Sequence, residues 1–362
     1  MAAALEKLFT AWDLKGFSIK NRICVPPLVI QSWGDGSGRV NEKNIAHYRA
    51  LTQGGAGLVI QEATAVLPTG KIAPDQLGIW EDGQIEGLSR IAEVFHDAGM
   101  PAILQFSHAG ILAADPACRV APSSYRCIQE GEERFGRALR FEEVQAIEQA
   151  FIEGARRAVK AGFDGVEIHG SHGYLISEFL NSRVNRRTDA YNVADRLFVR
   201  NILAGIRAVT PPAFILGFRL GAFEPTLQDG IAYAKWLEAQ GVDFINGFVG
   251  CDWEAELELP AGYPFDVSVY GAQRLKEAVS IPVFAVRNIR TGEQAERILT
   301  ETGVDGVMIG RCSLVNYSWG SDVRAGRDPG GCLGCAKCMW QRKPALCPGR
   351  KAIENNANKK AP

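Results

Sequence analysis

The 362-residue sequence has almost no net charge, no long apolar run, no internal repeat and no low-complexity segment. Forty Lys and Arg stand against 41 Asp and Glu, a formal charge of −1. Such a balance offers no field to gather nucleic acid or an anionic membrane. No segment approaches the roughly eighteen apolar residues that a membrane-spanning helix needs. The start, MAAALEKLFTAWDLKG, carries acidic residues and lacks the apolar core of a secretory signal. Nine cysteines, an odd number without such a signal, argue against a disulfide framework and for a reducing compartment. Apolar residues at 46% and charged residues at 22% exclude disordered and collagen-like states. The expectation is a soluble cytoplasmic protein, most simply an enzyme, with neither nucleic acid nor membrane as a partner.

What is present is alternation. Short apolar runs at 22–28, 57–63, 101–107, 165–170, 214–220, 242–248, 281–286 and 305–310 read as strands. Between them, stretches of helical period at 84–98, 141–161, 194–209, 226–240, 267–279 and 291–302 read as helices, several ending in a glycine C-cap. The strands are nearly continuous apolar runs, as parallel strands covered on both faces are. Eight such βα units predict a TIM (β/α)₈ barrel, an α/β fold, over residues 1–322. Alternation alone also fits a doubly wound open sheet. The composition changes after about residue 320, so 323–362 is set apart as a short Cys-rich C-terminal segment.

In a parallel barrel, catalytic groups sit at the C-terminal ends of the strands. Those positions hold Pro26, Pro27 and Leu28, then Gln105 with Ser107, His108 and Gly110. They also hold His169, His172 and Tyr174, then Arg219, and Gly310 with Arg311. This set is an amide, imidazoles, a phenol and guanidiniums, without an evident Ser–His–Asp arrangement. The His-x-x-His pair admits three readings: metal ligands, caps of the following helix, or hydrogen-bond donors to an oxygen that gains charge. In the last reading Tyr174 is a proton donor for the same substrate.

The blocks LKGFSIKNRICVPPL, HYRALTQGGAGLVIQEATAV, LQFSHAG, GFDGVEIHGSHGYLISEFLNSRVNRRTDAY and GVDGVMIGR resemble the old yellow enzyme family of flavin-dependent ene-reductases. The resemblance runs over about residues 5–320, with the blocks in the family's order. It implies a TIM barrel that binds FMN non-covalently and passes hydride from NADH or NADPH to the β-carbon of an activated alkene. It implies the backbone of Pro26, Pro27 and Leu28 and the Ala63 side chain against the flavin ring, with Gln105 on its pyrimidine edge. Arg219 would lie beside N1 and C2=O, and Gly310 and Arg311 at the phosphate. His169 and His172 would hold the substrate carbonyl oxygen and Tyr174 would protonate the α-carbon. Asn185, Arg187 and Asp189 would order a loop. The implied substrate is a small α,β-unsaturated carbonyl compound, a CoA thioester among the options.

Two positions depart from the family pattern. Val29 stands where some members carry a redox-tuning cysteine, and AVRNIR puts Arg287 where a glycine usually approaches the phosphate. Arg287 is therefore expected to add a phosphate contact. Asp252, beside Cys251, aligns with a histidine donor of the dienoyl-CoA reductase branch. It would serve as an acid only if burial raised its pKa; a solvated loop aspartate is the plainer reading.

Cys332, Cys335, Cys338 and Cys347 are spaced C-x₂-C-x₂-C-x₈-C. This spacing suits an iron–sulfur cluster, admits a Cys₄ zinc site, and is compatible with no metal. CLGCAKC resembles the [4Fe–4S] signature behind the barrel in the dienoyl-CoA reductase and trimethylamine dehydrogenase branch, although the last spacer is shorter than that branch's. There the cluster exchanges electrons with further FAD- and nicotinamide-binding domains. No G-x-G-x-x-G follows a strand in this sequence. Electrons are therefore expected from nicotinamide binding at the flavin, a separate subunit or a small carrier protein. Other readings run the chemistry oxidatively on an amine or alicyclic substrate, or make the chain an electron-transfer subunit. An oligomer is compatible with the sequence.

Overall fold

The computed structural model describes residues 5–129, 131–251, 257–336 and 338–353. A hairpin of β1 (Trp12–Leu14) and β2 (Phe17–Ile19) precedes the repeating units. Then come β3 (Ile23–Val25), α1 (Glu42–Gln53), β4 (Leu58–Ala65), α2 (Ile85–Asp97) and β5 (Ile103–Ser107). A three-stranded excursion follows, made of β6 (Val120–Ala121), β7 (Tyr125–Gln129) and β8 (Glu132–Ala138). The repeat resumes with α3 (Phe141–Lys160), β9 (Gly165–Gly170), α4 (Leu175–Leu180), α5 (Leu197–Val209) and β10 (Ile215–Gly221). It continues through α6 (Leu227–Ala239), β11 (Phe244–Phe248), α7 (Val267–Lys276), β12 (Val283–Val286), α8 (Gly292–Thr302) and β13 (Gly306–Met308). Short helices α9 (Arg311–Val315), α10 (Trp319–Arg324) and α11 (Met339–Arg342) end the described chain.

Eight strands close into a parallel barrel in the order β3-β4-β5-β9-β10-β11-β12-β13. This is the TIM barrel expected from alternation, and the closing β13–β3 pair (Val307 with Ile23, Met308 with Cys24) rules out the open doubly wound sheet. The helices stop where the sequence stops them. Gly99, Gly162 and Gly241 take positive φ just past α2, α3 and α6, a backbone region that costs glycine nothing. Thr226 and Thr291 cap α6 and α8 by accepting from Asp229 and Gln294 backbone N–H groups.

Alternation along each strand sorts its side chains. Leu104, Val166, Ile168, Leu216, Phe218 and Ile245 face the helices in the main core. Facing inward, Cys24, Leu58, Ile60, Ile103, Ile215, Phe244 and Phe284 fill the lower barrel, and Leu14 and Ile19 of the β1–β2 hairpin plug it. One step further along the strands the interior turns polar with Gln105, Glu167 and Asn246. One more step reaches His169, Arg219 and Phe248 at the mouth. An apolar floor under a polar layer confines charge to the end where the loops are.

Candidate active site

The turn after β9 carries three of the expected residues together. His169 lies 5.0 Å from His172 and 4.7 Å from Tyr174 between ring centroids, and His172 stacks at 4.1 Å on Phe248. His172 sits at φ 66°, a left-handed conformation a non-glycine residue adopts only where its surroundings impose it. The backbone of Gly173 is fixed by donating to Glu224 Oε1 at 3.2 Å. Burial, with the Arg219 charge beside them, holds both imidazoles well below the usual histidine pKa. Each is therefore neutral, and Nδ1 of each is buried without a protein partner. Burial pushes the Tyr174 hydroxyl up to about 12, against the opposing charges of Arg219 and Arg134, so it keeps its proton at neutral pH. The protein thus leaves an Nδ1 on each neutral imidazole, and beside them a protonated phenol, for a ligand to meet. Among the described residues no three His, Cys, Asp or Glu side chains group to hold a metal ion, so the His-x-x-His pair has no third ligand.

A cavity of about 280 Å³ opens beside this group. Pro26, Leu28, His172, Arg219, Arg287, Gly310 and Arg311 all line it, bringing together expected residues from five strand ends. Pro27, Ala63, Gln105, His169 and Tyr174 do not line that cavity. Ala63 and Gln105 are adjacent across β4 and β5, buried beneath it. Arg287 has φ 90° and Asn288 φ 54°, where glycine would be unstrained. The strained backbone turns the Arg287 side chain toward the cavity, 3.8 Å from Asp266 and over the Phe248 ring. Arg219 Nε is buried and unpaired. Guanidiniums of Arg219, Arg287, Arg290 and Arg311 around one cavity, with unfilled donors, fit a planar ligand bearing a phosphate. FMN is such a ligand.

Sequence reasoning missed Arg290 and Phe248 in the cavity wall and Glu167 and Asn246 beneath it. A charged residue in the centre of GVEIHG, at an inward position, was the available signal for Glu167. Cys251 is buried at the end of β11, and Asp252 lies outside the described residues. Arg187 pairs with both oxygens of Asp189 and donates to Leu139 and Pro122 carbonyls, while Asn185 donates to those of Phe179 and Tyr191. These contacts knit the loop after α4 to the β6–β8 excursion.

Cys332, Cys335, Cys338 and Cys347 all line a second, smaller cavity, with Arg311, Trp340 and Gly349. Cys332 and Arg311 line both cavities, so the two are neighbours. Trp340, 2% exposed, anchors the segment against His47 (5.4 Å) and Trp33 (6.0 Å).

The sequence profile of the NADH:flavin oxidoreductase / NADH oxidase family matches residues 7–329. The chain belongs to this family. It is an FMN-dependent oxidoreductase with NAD(P)H as the family's reductant. An NADPH dehydrogenase from Halalkalibacterium halodurans is 37% identical over 323 residues, covering 87% of this chain and 93% of its own. An old yellow enzyme homologue from Zymomonas mobilis is 26% identical, with a TM-score of 0.75 over 90% of this chain and 95% of that one. A 2-naphthoyl-CoA reductase solved with 2-naphthoyl-CoA superposes with a TM-score of 0.84 at 24% identity, a likeness of fold. The match takes 92% of this chain and 55% of that one, so this chain spans about half its length. Among the described residues no helix is long and apolar enough to cross a membrane.

Proposed function

We propose that the protein reduces a C=C bond conjugated to a carbonyl, on an enone, an enoate or an enoyl, dienoyl or cyclic dienoyl-CoA thioester. The grouping of His169, His172 and Tyr174 beside the phosphate-fitting cavity carries this reading. When bound, FMN supplies hydride transfer from a reduced nicotinamide to the alkene β-carbon. The neutral His169 and His172 donate hydrogen bonds to the substrate carbonyl oxygen and draw electron density from the alkene. Tyr174, which holds its proton at neutral pH, delivers it to the α-carbon from the face opposite hydride. Arg219 sets positive charge beside the ring, with Gln105 and the backbone of Pro26, Pro27 and Leu28 around it. Gly310, Arg311 and Arg287 take the phosphate, and Ala63 packs near the ring.

Residues 323–362 form a Cys-rich extension of the 1–322 barrel in this reading, and Cys332, Cys335, Cys338 and Cys347 hold a [4Fe–4S] cluster. Four thiols around one cavity support it. Among the described residues no three of these side chains group to hold a metal ion, so the reading rests on the cysteine spacing and the shared cavity alone. The cluster supplies one-electron transfer, and an electron-donor protein or subunit is its natural partner.

Anaerobic purification followed by visible spectroscopy and iron and sulfide analysis tests both cofactors. Flavin bands bleached by NADPH or NADH, and reoxidised by cyclohexenone or an enoyl-CoA, are expected. Flavin that bleaches but is reoxidised by none of these substrates sinks alkene reduction. Protein without iron or a broad shoulder near 400 nm sinks the cluster.

A further inference from the structure

The polar layer under the mouth contains a carboxylate that this mechanism does not use. Glu167, in the middle of β9, is fully buried inside the barrel. Gln105 Nε2 donates to its Oε1 at 2.5 Å and Asn246 Nδ2 donates to its Oε2 at 3.1 Å. A carboxylate that accepts from two amides dictates which way both amides point. Gln105 commits one N–H of its NH₂ to Glu167, which leaves its carbonyl oxygen and a second N–H to meet a ligand. Asn246 Oδ1 is buried and unpaired, as is Arg219 Nε on the adjoining strand. The protein thus leaves an acceptor and a guanidinium N–H unfilled directly above one buried carboxylate.

Glu167 also faces charge. Arg219, two steps from it across β9 and β10, raises no direct ion pair with it but is held in its charged form partly by Glu167. Burial pushes the Glu167 pKa up to about 7, against the Arg219 charge and the two amide hydrogen bonds, so above that pH its negative charge reduces the net positive charge that the ring experiences.

We propose that Glu167 is the positioning residue of the flavin site: it fixes Gln105 as an acceptor toward the ring's N–H edge and offsets Arg219, setting the cofactor's reduction potential. This inference rests on the FMN reading above. It gives the layer a purpose that packing does not, since an apolar residue would fill the same space without burying a charge. It also divides the work between the two half-reactions. A charge that lowers the potential favours hydride leaving the reduced cofactor for the alkene, at the expense of hydride arriving from the nicotinamide.

The test compares fully FMN-loaded wild type, Glu167→Gln and Glu167→Leu well above the pH of about 7 at which Glu167 ionises. Glu167→Gln keeps the size and one acceptor while removing the charge. Its midpoint potential should rise so that the reduction equilibrium shifts about tenfold, which is about 30 mV for a two-electron couple. Flavin reduction by NADPH should proceed further toward completion and reoxidation by the alkene should slow. Glu167→Leu should show the same rise and also bind FMN about tenfold more weakly, because Gln105 loses its anchor. A Glu167→Gln variant that loads FMN with an unchanged potential overturns the proposal. Wild-type apoprotein that takes up no FMN overturns instead the reading on which it rests, and the proposal with it.

Discussion

The residues at the barrel mouth and the four cysteines beside them are held in different ways. Gln105, His169 and Arg219 sit on β5, β9 and β10, paired on both sides, so register and alternation fix where each side chain emerges. The described residues of the cysteine segment form no strand, one short helix and a 3₁₀ turn, fastened by Trp340 and a small apolar cluster of Ile30, Leu314, Val315 and Cys347. A closed sheet holds donors within the small tolerances that hydride and proton transfer demand. Electron transfer tolerates looser holding, provided the thiols surround a common space. The comparison implies that damage at the mouth shows as lost chemistry, and damage at the tail as a lost metal group with the barrel intact.

The largest expected effect is at the mouth. Tyr174→Phe removes the proton donor but keeps the ring that packs on His169 and on the excursion. Turnover of an enone should fall about 10²- to 10⁴-fold. Flavin reduction by NADPH, which uses no proton from Tyr174, should keep its rate. Stopped-flow measurement of the two half-reactions separates these outcomes; equal slowing of both would mean that Tyr174 supports the site's structure instead.

Next is Trp340→Ala, aimed at the fastening of the tail. Trp340 fills the slot between His47, Trp33 and the cysteine-lined cavity, and truncating a buried tryptophan costs about 3–5 kcal/mol where the site cannot collapse. The expected result is loss of iron and faster tryptic cleavage at exposed Lys351, while FMN content and flavin reduction by NADPH persist. Loss of flavin together with iron would break the comparison, because the tail would then be part of the barrel's own stability.

Sequence legibility follows the same division. GVEIHG is a strand in the sequence and a strand in the fold, with the same bounds, because near-continuous apolar runs leave little else for such a segment to be. Its neighbour across β10 placed Arg219 correctly for the same reason. The β7–β8 hairpin went unread: RCIQ and EERFGRA alternate, but the charged residues that face solvent outnumber the buried ones. Its role over the site is tertiary, with Tyr125 donating to buried Glu178 Oε1 of α4 at 2.8 Å. Asn246 was equally silent, since an inward amide between Ile245 and Gly247 reads as strand whether or not it bonds a carboxylate. Cysteine spacing anticipated a shared cavity, yet spacing cannot say how far apart four sulfurs stand.

The smallest expected effect concerns the strap that touches both regions. Residues 26–33 pass from β3 across the mouth, where Pro26 and Leu28 line the flavin cavity, to Ile30 and Trp33 in the tail's apolar cluster. Glu62 of β4 holds this strap: Ile30 N–H donates to its Oε2 at 2.9 Å and Tyr48 Oη to its Oε1 at 3.3 Å. Burial pushes its pKa up to about 8, with those two hydrogen bonds opposing. The folded state therefore holds the proton more tightly than the unfolded chain does. The stability this contributes is complete below the ordinary carboxylate pKa and is lost as pH rises through about 8. Glu62→Gln stays neutral and should flatten the fall in unfolding free energy, read by urea titration between pH 5 and pH 8, by roughly 3 kcal/mol. Glu167 and Glu178, both raised by burial, keep part of the slope in the variant. An unchanged slope would mean that Glu62 is already charged at neutral pH, and the strap would then join mouth and tail through a buried carboxylate instead of a neutral acid.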